Sequence, residues 1–210
     1  LLREINAKLD DYQDIEPLIE PLGHLALSPV DPEERKEALR LLCGREFLDH
    51  PGPVEIFTEA MRQSEREGDH ELYIYCASTI ISSFKGRPEA VEALGEIILA
   101  KKTHTLYEKA LDVYPREKPE HYNFLLAVED LPAWITDRLL EDVERMERDD
   151  YEAFVPGLRA LLETSTRYKV VLRVLGLVAK RDLTPFGPAL IRLHGDSSFS
   201  PELRAWVGEL

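Results

Sequence analysis

The chain has 210 residues, 44% hydrophobic and 31% charged, with 26 basic and 40 acidic side chains and a formal net charge of −14. This balance suits an ordered domain or an array of small helical units and excludes a disordered chain, because leucines and valines run throughout without a long polar tract. The longest apolar runs, such as Ile97-Ile98-Leu99-Ala100, fall far short of the roughly 20 residues needed to cross a bilayer.

The charge is uneven. Residues 1–150 carry 18 basic against 34 acidic side chains, and residues 151–210 carry 8 against 6. Nucleic-acid binding needs a basic footprint that releases counterions, so no nucleic-acid partner is expected. Cys43 and Cys76 are the only cysteines, too few for a disulfide-stapled secreted scaffold. Two buried free thiols are expected, which favours the cytoplasm. A start at Leu1 and an end within a helical pattern, Pro201 to Leu210, read as a segment of a longer protein.

Apolar residues recur at three- and four-residue spacing almost everywhere, the helical period, and hairpin signals of the Asn-Gly or Asp-Gly kind are missing. In chain order the pattern predicts a helix over 12–27, then a partner opening at Asp31 after Ser28-Pro29-Val30. It next predicts 53–66 with a partner from Asp69, and 88–100 with a partner from Thr103. The second half repeats this: 119–129 with Pro132, 151–163 with Thr164, and 185–194 with Ser200. Prolines mark the breaks because the ring fits the first turn of a helix but not its interior. Five of the six partner starts carry a side-chain oxygen able to cap a helix; Pro132 does not. The intervals are 38, 34, 29, 32 and 36 residues. The predicted pairs span about 12–47, 53–85, 88–115, 119–148, 151–181 and 185–210.

Columns counted from those starts give a repeat. Four residues in stand Arg35, Tyr73, Tyr107, Thr136, Tyr168 and Arg204; seven in stand Ala38, Cys76, Ala110, Leu139, Val171 and Val207. With positions eight and eleven these form one apolar stripe of a 3.6-residue helix. The mostly small seventh column allows close helix approach. Tyr73, Tyr107 and Tyr168 fall on the core stripe, where a ring is buried and its hydroxyl reaches the rim. A pair of about 34 residues cannot bury both apolar faces alone, so successive pairs must stack.

The pattern resembles a HEAT repeat. In that family the second helix opens with Asp-Pro, then Val-Arg, then small residues one turn on. Asp31-Pro32-Glu33-Glu34-Arg35 through Ala38-Leu39 is similar, as is Ser200-Pro201-Glu202-Leu203-Arg204 through Val207. Tyrosine replaces the arginine in three units. Tyr107-Glu108-Lys109-Ala110-Leu111 has a tetratricopeptide flavour, and that family is also an α-solenoid. The resemblance implies an all-α fold, a right-handed α-α superhelix of about six stacked HEAT-like helix pairs, whose second helices line a concave face.

Catalytic and cofactor motifs are missing. There is no Gly-rich phosphate loop, no His-Glu-x-x-His and no Cys-x-x-Cys, and the six histidines are scattered. Glu20 and His24, one turn apart, read as a surface pair, since a zinc site needs at least three protein ligands. Gly195-Asp196-Ser197 reads as a turn, because an activated serine needs a strand-to-helix elbow and a histidine. No catalytic residue, cofactor or metal is therefore expected.

Positions five, six and nine after each start should point into the concave face that the resemblance implies. They include Ile74, Tyr75 and Ser78 on the second pair, and Glu108, Lys109 and Asp112 on the third. From them the candidate partner-binding set is Tyr75, Lys109, Arg138, Lys169, Arg173 and Trp206, because aromatics and arginine are the usual anchors of interfaces. Lys169 and Arg173 would form a basic spot for an acidic segment, while acidic stretches toward the N-terminus would steer basic partners. The expected function is a non-enzymatic scaffold for a protein or peptide. The alternatives are a HEAT-like enzyme resembling DNA glycosylases or chromophore lyases, which the fold alone does not exclude, and a structural spacer.

Overall fold

The computed structural model describes residues 15–28, 31–145, 151–179 and 183–210. Among the described residues all regular structure is helical, with twelve α-helices and two 3-10 turns. The helices fall into consecutive pairs. They are α1 (Glu16–Ala26) and α2 (Pro32–Leu42), α3 (Gly52–Glu67) and α4 (His70–Ser83), and α5 (Ala90–Ala100) and α6 (His104–Val113). Next come α7 (Pro119–Ala127) and α8 (Ala133–Arg145), α9 (Val155–Thr164) and α10 (Tyr168–Val178), and α11 (Gly187–Gly195) and α12 (Pro201–Glu209). Residues 12–14, 146–148 and 180–181 of the predicted pairs, and Pro29 and Val30 of the first break, lie outside the described residues. The chain divides into two compact units, Leu1–Pro115 and Arg116–Leu210.

Four predicted starts hold because a side chain satisfies amides that the helix cannot. Asp31 accepts from the amides of Glu33 and Glu34 at 2.9 and 3.1 Å. Asp69 accepts from Leu72 N at 3.0 Å, Thr103 from Leu106 N at 3.3 Å, and Ser200 from Leu203 N at 3.3 Å. The helix α8 begins directly after Pro132, whose carbonyl accepts from the amides of Ile135 and Thr136.

The fifth start differs from the prediction. Thr164 closes α9, its hydroxyl donating back to Ala160 O at 3.0 Å, and α10 opens after Arg167. The four-residue run Thr164-Ser165-Thr166-Arg167 offers three capping side chains; Ser165 takes the turn by accepting from Arg167 N at 3.2 Å. Counted from Arg167, the stripe becomes Val170, Val171, Val174, Leu175 and Val178, all buried. Tyr168 is therefore not in the core: it is 46% exposed, whereas Tyr73 and Tyr107 are buried as expected.

Within the first unit the first helices pack in succession, α1 on α3 and α3 on α5, while α4 packs on α6. Charged side chains tie successive pairs. Arg62 of α3 grips Glu92 at 2.7 Å and also Glu96, both on α5. Lys102 reaches Glu65 at 2.9 Å and lies 4.3 Å above the Tyr73 ring. Arg35, with a side chain only 7% exposed, donates to Ala26 O at 3.1 Å and to Glu67 at 3.0 Å. It thus supplies a donor to the open carbonyl end of α1 while bridging to α3.

Within the second unit α7 packs on α9, α9 on α11, and α8 on α10. The Asn123 side chain of α7 accepts from Gly157 N at 2.9 Å and donates to Ala153 O at 2.8 Å. A Cβ at Gly157 would lie 2.6 Å from Asn123 Oδ1 and 2.8 Å from its Cα, so glycine permits this close crossing. Arg192 of α11 donates to Leu162 O at 2.6 Å, and Arg167 to Thr136 Oγ1 at 2.9 Å.

Two predictions follow from this packing. Val174→Ala should cost about 2 kcal/mol of stability because it opens a cavity in the α10 stripe, whereas Tyr168→Ser should stay within about 0.5 kcal/mol. Urea titration followed by circular dichroism measures both. The second concerns pH: hydrogen bonds from Arg35 and then Gln63 hold the Glu67 carboxyl below its usual range. The stabilisation is therefore present above the unfolded carboxylate pKa and is lost as pH falls through the lower folded value. Thermal midpoints should drop less steeply on acidification in Glu67→Gln than in wild type.

Candidate functional site

In the first unit the outward side chains of α2, α4 and α6 differ in kind from one helix to the next. On α2, Arg40 makes a two-bond pair with Glu37 at 2.6 and 2.7 Å, so both charges are answered within one turn. On α6, Glu108, Lys109 and Asp112 are exposed, with His104 3.6 Å from Glu108. On α4, between them in sequence, Ile74 is 42% and Tyr75 37% exposed, followed one turn on by exposed Ser78. No charged residue occurs between Glu71 and Lys85.

Tyr75 is held by its neighbours. Its ring centroid lies 6.2 Å from that of Phe57, and its hydroxyl lies 3.9 Å from Cys43 Sγ. Burial first, and then the neighbouring Cys43, pushes its phenol pKa up, so it stays a neutral donor at ordinary pH. Cys43 is half-buried rather than fully buried as expected, and its thiol donates to Arg40 O at 3.1 Å. Cys76 is fully buried, as the stripe predicts, and burial raises its thiol pKa to about 12.

The remaining candidates fare differently. Lys109, Arg138 and Lys169 are exposed, and Trp206 on α12 is half-buried. Arg173 is held by acid: it donates to Glu144 at 2.7 and 3.0 Å and to Asp137 Oδ1 at 3.3 Å. Its guanidinium is thereby held more firmly protonated and the Glu144 carboxyl is lowered by the same bonds. The expected basic spot thus reduces to Lys169, because α10 opens three residues later than predicted and turns Arg173 toward α8.

Two features escaped the sequence reading. Trp134 in the first turn of α8 is 50% exposed, at a position two residues past the start and outside the counted columns. A hollow of about 320 Å³ lies beside α9, lined by Val155, Pro156, Ala160 and Pro185 with the Arg159–Glu163 pair at 2.7 Å. Nothing in the periodicity signals it, since it forms where the 3-10 turn before α11 meets α9. Glu20 and His24 are 3.8 Å apart on the surface of α1, as expected of a surface pair. Among the described residues no group of three His, Cys, Asp or Glu side chains could hold a metal ion, and no helix is long and apolar enough to cross a membrane.

No known family, no curated protein and no solved structure matches this chain. The functional reading therefore rests on the geometry alone.

The two thiols offer a direct check on the α2–α4 edge. A thiol-specific reagent such as dithionitrobenzoate should titrate one cysteine, Cys43, in the native protein and two in denaturant. Cys43→Ser should abolish the native reaction, and Cys76→Ser should leave it unchanged.

Proposed function

We propose that this chain is a non-enzymatic scaffold that binds a protein or peptide along the outward face of its second helices, built as an α-solenoid of HEAT-like helix pairs. The observation that carries the reading is the side-by-side exposure of Ile74 and Tyr75 on α4, a helix with no charged residue after Glu71. A rigid aromatic beside an aliphatic side chain is the usual composition of an interface anchor.

The repeat supports the architecture. Six consecutive helix pairs, with first helices packed in succession inside each unit, are what stacked two-helix repeats require. Two free cysteines suit a reducing compartment such as the cytoplasm. Unit one carries the anchor; Lys169 and Trp206 in unit two are the further contact candidates, and Arg173 drops out because Glu144 and Asp137 hold it.

Affinity capture from native lysate tests the proposal, with wild type, the double variant Ile74→Asp/Tyr75→Ala, and a control changed on the first helices, Glu55→Lys. Discrete proteins should be retained by wild type and control and lost by the double variant, with unchanged helicity. An identical set of proteins on all three baits would overturn the assignment of the face.

A further inference from the structure

We draw no further inference here: the strongest candidate, the hollow that α9 forms with the 3-10 turn before α11, is an apolar groove whose charged rim residues, Arg159 and Glu163, answer each other at 2.7 Å, and nothing in the structure shows what covers it.

Discussion

A pair of short amphipathic helices has two apolar faces and only one partner, and that constraint governs the whole molecule. Stripe residues such as Leu39, Ile80 and Leu139 are fully buried, and burial of a leucine-sized side chain contributes roughly 2 kcal/mol. A single pair of about 34 residues has too few of them to offset the entropy of ordering its chain. Within each unit neighbouring pairs supply the missing surface, so stability is shared between consecutive pairs.

The polar side chains follow the same rule. Arg35 meets Glu67 across 32 residues, Arg62 meets Glu96 across 34, and Asn123 meets Gly157 across 34. Arg173 meets Glu144 across 29, and Arg192 meets Leu162 across 30. Each of these links joins one helix pair to the next within its unit. Three of these links end on carboxylates, at Glu67, Glu96 and Glu144. The long arginine side chain suits this role, since its apolar stem packs along a helix while the guanidinium reaches the adjacent one.

This economy of partners leaves some outward side chains over. Arginines that might have been read as ligand-binding cations are committed to stacking, and Arg173 is the case in point. The side chains left facing outward without such a task include Ile74 and Tyr75, on a helix whose hydroxyls are bonded to its own backbone.

Much of the fold was legible in the sequence. Proline breaks, capping residues at Asp31, Asp69, Thr103 and Ser200, and the small seventh column fixed five of the six second-helix registers, because those signals act within one or two turns of chain. The fifth register was not legible: Thr164, Ser165 and Thr166 are all competent caps, and only the back-bond of Thr164 to Ala160 and the burial of the Val170–Val178 stripe selected among them. The candidate site divides the same way. Tyr75 was marked by an aromatic at a column that points outward, which is a local property. The commitment of Arg173 to Glu144 and the half-exposure of Cys43 beside Tyr75 depend on which helices become neighbours. The sequence by itself therefore determined the helices and five of the six second-helix registers, since periodicity and capping are short-range. Tertiary structure alone decided which charges are answered and which surface remains open, because ion pairs and burial link residues one repeat apart.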